Sequence, residues 1–333
     1  MPRFDDQVVF LTGASSGVGR ATAQAFAQAG TRLALLAREE TGLEETRDEL
    51  VEMGATVEIF PADVADADAV FRAAEQCRER LGPIDIWVNN AMNTVFGKIT
   101  QLTPAEFRRV TEVTYLGYVH GTLAALRQME GRDAGTIVQV GSALAYRGIP
   151  LQAAYCGAKH AIQGFTDTLR TELLHSESGI KVTSVHLPAI NTTQFEWART
   201  KRRAEPRPVA PVYAPHVAAE AILRAAAHPK RDYWLGGTTA MTVLGALALP
   251  GFMDRYLARG VVEGQDRETP VEPDREDNLM QPVPGLHDAY GAFDREEADS
   301  AILLSGNATR LAIAAGSLVI AAVAGAALAR RFR

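Results

Sequence analysis

Only two cysteines, Cys77 and Cys156, occur in 333 residues. That excludes a disulfide framework and fits a reducing compartment. The seven histidines are scattered without ligand spacing, so no structural metal is expected. An excess of basic residues is also missing. The net charge is −6, which argues against a nucleic-acid partner. No secretory leader is expected, because Arg3 is followed by Asp5 and Asp6 and the apolar run at 8–11 is far too short.

What the chain does have is enough apolar residue to build a large core: 47% hydrophobic against 22% charged, near the globular average. Short apolar runs at 8–11, 33–37, 57–60, 84–88, 136–140 and 182–187 alternate with helical stretches at 20–29, 43–53, 66–80, 104–129, 152–176 and 216–227. The runs are continuously apolar, which indicates strands covered on both faces. Alternating β and α segments of this kind predict a doubly wound parallel sheet, the Rossmann fold, over residues 1–260. A last strand is expected at 231–235, followed by an apolar helix over 238–258 that breaks at Pro250-Gly251.

Residues 261–310 read as an acidic, Pro-containing linker. Within 261–300 there are twelve acidic residues and three arginines, a net charge of −9. The less polar stretch 286–293 is the part of it suited to dock on the domain. Residues 311–329 form 19 consecutive positions without a charge. As a helix they reach about 28 Å, close to the thickness of a bilayer core. Two readings stand: a buried oligomerisation helix, or a membrane-spanning one. A stretch apolar all round and set beyond an acidic linker favours the membrane. Ala321 and Gly325 form a small-xxx-small pair suited to helix packing there. The expectation is a membrane-associated protein with its catalytic domain in the cytoplasm. Arg330, Arg331 and Arg333 would by charge also stay cytoplasmic, so the topology is left open.

Between the first strand and first helix lies Thr12-Gly13-Ala14-Ser15-Ser16-Gly17-Val18-Gly19. Glycines here permit positive φ and close approach to a pyrophosphate, and the helix start offers free N–H groups and the positive end of its dipole. Gly13, Ser15, Ser16, Gly17, Val18 and Gly19 are therefore candidate cofactor ligands. The second strand ends Ala37-Arg38, without the acid that would hold a ribose 2′-hydroxyl and with a cation suited to a 2′-phosphate. This favours NADP(H) over NAD(H), although Glu39 and Glu40 follow at once.

Tyr155 and Lys159 stand four residues apart, on one face of a helix, and Ser142 follows the strand at 136–140. An ammonium beside a phenol favours the phenolate and makes Tyr155 a general acid or base toward a carbonyl or hydroxyl oxygen. Ser142 can hold the same oxygen, and Lys159 can also hold a cofactor ribose.

Taken in order with Ala62-Asp63-Val64, Asn89-Asn90-Ala91, Gly141-Ser142, Tyr155-Cys156-Gly157-Ala158-Lys159 and Leu187-Pro188-Ala189, these motifs make residues 5–240 resemble the short-chain dehydrogenase/reductase family. The resemblance implies an oxidoreductase that interconverts a carbonyl and a hydroxyl on a small molecule. It implies that Asp63 and Val64 flank the adenine, that Asn90 and Ala91 lie near the cofactor ribose, and that Pro188, Ile190 and Thr192 meet the nicotinamide carboxamide. It also implies a homo-oligomer paired through the helices at 104–129 and 152–176. Three departures stand out: Thr114 replaces the usual catalytic Asn, Met92 ends the N-N-A-G pattern, and Ala189 replaces a Gly. The candidate substrate pocket comprises Thr94, Phe96, Leu144, Tyr146, Ile149, Leu151 and Phe195, which are mostly apolar and suit a lipophilic substrate. A rival reading is a membrane-tethered NADP(H)-binding scaffold or sensor with weak catalysis, kept open by Thr114. Another keeps the enzyme but changes the reaction to dehydration or epimerisation.

Overall fold

The apolar run after Gln7 becomes strand β1 (Val8–Thr12), every residue of which is buried. The computed structural model of the protein describes residues 4–315. After β1 the elements alternate: α1 (Gly17–Gln28), β2 (Arg32–Ala37), α2 (Glu40–Glu52), β3 (Thr56–Pro61), α3 (Ala67–Leu81) and β4 (Ile84–Asn89). They continue with α4 (Pro104–Thr111), α5 (Gly117–Met129), β5 (Thr136–Ser142), α6 (Ala153–His175), β6 (Lys181–Leu187), α7 (Pro215–Ala227) and β7 (Asp232–Leu235). The last are α8 (Gly236–Ala248), α9 (Pro250–Gly260) and β8 (Leu303–Ser305).

The main sheet has eight strands in the order β8-β7-β6-β5-β4-β1-β2-β3. Strands β1 to β7 pair in parallel, and β8 is antiparallel to β7. The order reverses at β1, flanked by β2 on one side and β4 on the other, which opens a crevice at the carboxyl ends of the strands. Side chains alternate across the sheet with period two. Val9, Leu11, Leu33 and Leu35 pack into one apolar layer with Phe26 and Ile222. Val8, Phe10, Ala34 and Leu36 pack into the other with Trp87 and Ile137. The Phe10 and Trp87 rings stack at 4.1 Å.

The stretch expected as one helix over 104–129 is interrupted. Helix α4 starts at a capping box, Thr103 with Glu106, with Pro104 in its first turn. A π-helical turn, Glu112–Leu116, then separates α4 from α5 and carries Thr114. Such turns recur at functional sites.

The linker expected over 261–310 is instead docked on the domain. Asp266–Pro270 pairs with Ala204–Pro206, Glu297–Ala298 pairs with Val212–Tyr213, and β8 extends the main sheet. Leu279 is fully buried among Val95, Leu102, Val110, Ala154 and Ala158. Phe293 packs with Phe96 and Phe195. Several acids of the expected linker are paired with the domain: Asp266 with Arg202, Asp277 with Arg199, and Glu296 with Arg207. Average composition hid a few apolar anchors and cations supplied from elsewhere in the chain.

A helix begins at residue 306 and is described to residue 315. The apolar stretch expected to span a membrane lies, from residue 316 onward, outside the described residues. Among the described residues no helix is long and apolar enough to cross a membrane.

Docking of this segment has a measurable consequence. Leu279→Ala removes a fully buried side chain and is expected to lower stability by about 2–5 kcal/mol. Urea unfolding of the full chain measures it, and a midpoint equal to wild type would show that Leu279 does not anchor the segment.

Candidate active site

The glycine-rich turn is shaped by what lies against it. Gly13 and Gly17 hold φ of 66° and 54°, and a side chain at Gly13 would stand 2.7 Å from the Cα of Ala91. Thr12 and Asn90 clasp the turn to the end of β4. Thr12 Oγ1 accepts from the amides of Asn90 (3.0 Å) and Ala91 (3.2 Å), while Asn90 Nδ2 donates to the carbonyls of Thr12 (3.2 Å) and Gly13 (3.1 Å). Ser16 is the N-cap of α1 and makes no side-chain cap bond. A cavity of about 610 Å³ opens above this turn, and all the sequence-predicted cofactor residues line it. Its glycine cradle and the helix start, where the Gly17 amide bonds the Asp288 carbonyl but the Ser16 side chain caps none of the following amides, fit a dinucleotide phosphate group.

At the end of β2, Arg38 reaches into the cavity wall. Its guanidinium donates to the carbonyls of Asn278 (2.6 Å) and Met280 (3.3 Å). Burial lowers the Arg38 pKa, opposed by nearby Asp63. Asp63 itself pairs with Arg109 and accepts from the Ala65 amide at 2.9 Å. Asn278 Oδ1, in the same wall, is buried without a hydrogen-bond partner among the described residues.

Ser142, Tyr155 and Lys159 converge on the same cavity. Ser142 ends β5, where its Oγ accepts from the Leu144 amide at 3.1 Å. Tyr155 and Lys159 come from successive turns of α6, with Nζ 5.6 Å from the Tyr155 ring centre. Lys159 Nζ donates to the Val140 carbonyl (2.8 Å) and to Tyr118 Oη (3.0 Å), and Tyr118 in turn donates to Val140 (2.9 Å). Burial pushes the Lys159 pKa down to about 7. Burial raises the Tyr155 phenol, and a hydrogen bond from Ser142 pulls it back down. In the free protein, desolvation therefore outweighs the ammonium effect that the i, i+4 spacing suggests.

Other sequence-predicted residues sit elsewhere. The Thr114 hydroxyl donates to the Asn93 carbonyl (2.9 Å) and accepts from the Asn93 amide (3.0 Å), away from the cavity lining. Leu144, Ile149 and Phe195 line the cavity as expected, and Met92 joins them. Thr94, Phe96, Tyr146 and Leu151 do not. Thr94 and Leu151 are buried in the fold, and Phe96 packs behind Phe195, with ring centres 6.1 Å apart. Tyr146 turns to a buried cluster behind Ser142. Its Oη lies 3.2 Å from His186 Nε2 and donates to Asp232 Oδ2 at 3.2 Å. His186 Nδ1 faces the Ser142 carbonyl at 3.3 Å, and Arg310 grips both oxygens of Asp232. Burial pushes His186 down to about 4, so it is neutral at physiological pH.

Sequence reasoning did not find Tyr118, His186, Asp232 and Arg310. No local motif marks them, because each meets its partner across tens of residues of chain. It also missed the outer wall of the cavity, where α8 and α9 contribute Met241, Phe252 and Tyr256. The apolar pattern of 238–258 signalled these helices without placing them.

Lys159 gives the folded protein a pH signature. Between about pH 7 and its ordinary value of 10.5, the unfolded chain binds a proton that the folded chain does not. Stability contributed here must rise with pH across that window and be fully present above it. Unfolding free energies of the cofactor-free protein, measured from pH 7 to pH 10, should rise more steeply in wild type than in Lys159→Met. Parallel curves would show that Lys159 keeps an ordinary pKa.

Comparison with known proteins agrees with this architecture. The family model described as short chain dehydrogenase matches residues 7–204. The uncharacterized oxidoreductase YxnA of Bacillus subtilis is 37% identical over 293 residues, covering 86% of this chain and 82% of that protein. The 17-beta-hydroxysteroid dehydrogenase 13 of Rattus norvegicus is 35% identical over 190 residues, 57% of this chain and 63% of its own length. Among solved structures, levodione reductase aligns with a TM-score of 0.56 at 32% identity, over 58% of this chain and 76% of its own. An alcohol dehydrogenase from the archaeon Thermococcus sibiricus, complexed with 5-hydroxy-NADP, aligns with a TM-score of 0.60 at 27% identity, over 69% and 95% of the two chains. With its parallel sheet, glycine-rich turn and Ser142, Tyr155 and Lys159 in one cavity, the chain belongs to the short-chain dehydrogenase/reductase family of oxidoreductases.

Proposed function

We propose that the protein is an NADP(H)-dependent oxidoreductase that interconverts a carbonyl and a hydroxyl on a lipophilic small molecule. The observation that carries this reading is the meeting of Ser142, Tyr155 and Lys159 in a cavity continuous with the glycine-rich turn. The bound nicotinamide supplies or accepts the hydride. In the direction of reduction, Tyr155 donates its phenolic proton to the substrate oxygen. Its raised pKa keeps that proton in place at neutral pH. The Ser142 hydroxyl holds the same oxygen, and protonated Lys159 stabilises the phenolate left behind. The Val140 carbonyl and Tyr118 fix the lysine where it does so. Thr114 acts through Asn93 as a support for the adjoining loop.

Two further features support the finer reading. Arg38 is a desolvated cation at the end of β2 with donors beyond the two it uses, which suits a 2′-phosphate. The outer part of the cavity is apolar, with Leu144, Ile149 and Phe195 inside and the exposed Met241, Phe252 and Tyr256 at the rim. Leu247 on α8 and Leu249, between α8 and α9, are exposed as well. Together with the uncharged sequence of 311–329, the rim supports association with a membrane from which a lipophilic substrate would enter.

The test is NADPH and NADH oxidation by the full chain against carbonyl compounds of rising lipophilicity. Turnover with NADPH should increase along the series, and Tyr155→Phe should reduce it by about 10²–10⁴-fold. Equal use of NADH would overturn the cofactor assignment. NADPH binding without turnover across the panel would favour a cofactor-binding scaffold instead.

A further inference from the structure

The adenosine side of the crevice has a wall that comes from far along the chain. Residues 280–286, Met-Gln-Pro-Val-Pro-Gly-Leu, cross the cleft without a charge, and Pro282, Val283 and Leu286 line the cavity opposite the end of β2. The strap is anchored at both ends. Leu279 is buried in the core on one side and His287 is only 6% exposed on the other. The carbonyls on either side of this anchor are held too, His287 by Arg20 at 3.1 Å and Asp288 by the Gly17 amide at 3.0 Å.

His287 lies between two carboxylates of α2 and its cap. Its Nδ1 bonds Glu45 at 3.1 Å, and its Nε2 stands 2.9 Å from Glu39 Oε2, at ion-pair distance though off hydrogen-bond geometry. Glu39 also caps α2, accepting from the amides of Thr41 and Gly42. The ring fits only because residue 42 is glycine. A Cβ there would stand 2.7 Å from His287 Cδ2. So His287, at the end of the strap, meets the carboxylate directly after Arg38, while the carbonyls of Asn278 and Met280 hold Arg38 itself.

We propose that His287 is a positioning residue that sets cofactor choice, drawing the Glu39 carboxylate onto α2 so that Arg38 alone meets the 2′ substituent of the cofactor ribose. The inference rests on the NADP(H) reading above. A carboxylate free at this place would accept hydrogen bonds from a ribose diol and repel a 2′-phosphate. Cofactor selectivity in this chain is then a property of its C-terminal segment as much as of the β2 end.

The experiment measures dissociation constants for NADPH and NADH by nicotinamide fluorescence, on the full chain without substrate. In His287→Ala, the preference for NADPH should fall about tenfold, the size of one charge-assisted contact. NADPH should weaken while NADH holds or tightens. Gly42→Ala should do the same by pressing the ring and the Glu39 carboxylate apart, its Cβ standing 2.7 Å from His287 Cδ2 and 3.1 Å from Glu39 Oε2, while keeping Arg38, Glu39, Glu45 and His287, and alanine is favourable in a helix. Adding Glu39→Gln to His287→Ala should restore the preference, because the charge that His287 restrained is gone. Equal weakening of both cofactors in His287→Ala would make the strap merely a wall and overturn the inference. So would an unchanged ratio, or a double variant that fails to recover. A wild-type protein that binds NADH as well as NADPH would instead overturn the reading on which the inference rests.

Discussion

A lysine buried at 2% exposure, with no carboxylate bonded to it among the described residues, is the constraint around which the site is arranged. Its ammonium is held by a carbonyl and a phenol, both neutral, so desolvation dominates and the proton is loosely held. To hold that group in place, β5 must carry the Val140 carbonyl to it, α5 must begin where Tyr118 turns inward, and α6 must run past both. The π turn at Glu112–Leu116 sits between α4 and α5, just before Tyr118. Tyr155, one turn earlier on α6, is carried to the cavity by the same helix that buries the lysine.

Ser142 has its own support from behind. The cluster of His186, Tyr146 and Asp232 closes on its carbonyl, and Arg310 pairs with Asp232. Burial alone would raise the Asp232 pKa, but the Arg310 contact lowers it, so the cluster carries an ion pair rather than a lone charge. Arg310 also lies over the Trp234 ring at 4.8 Å. The helix that begins at residue 306 is thereby tied to β7, and through His186 on β6 to the end of β5 at Ser142.

The same C-terminal part encloses the cofactor side. Its acidic residues neutralise arginines of the domain, and its few apolar residues fill gaps in the core. A segment that a composition window scores as solvated is in this way part of the nucleotide cleft. Both ends of the cavity, the one beside Arg38 with its strap and the one walled by α8 and α9, are completed by residues beyond 236.

The sequence by itself determined the mostly parallel sheet, the glycine-rich turn and the Ser142, Tyr155 and Lys159 trio that the fold gathers on one cavity. These depend on local rules: continuous apolar runs for covered strands, glycines for positive φ at residues 13 and 17, and a four-residue interval that puts Tyr155 and Lys159 on one helix face. Only the tertiary structure decided the rest, because it concerns groups distant in the chain. Leu279 and His287 turn an apparent linker into a wall, and Tyr118 rather than Thr114 reaches the lysine. Tyr146 and Phe96 leave the pocket for partners that no spacing reveals. Periodicity reports which face of an element is buried, but it does not say which residue from another element covers that face.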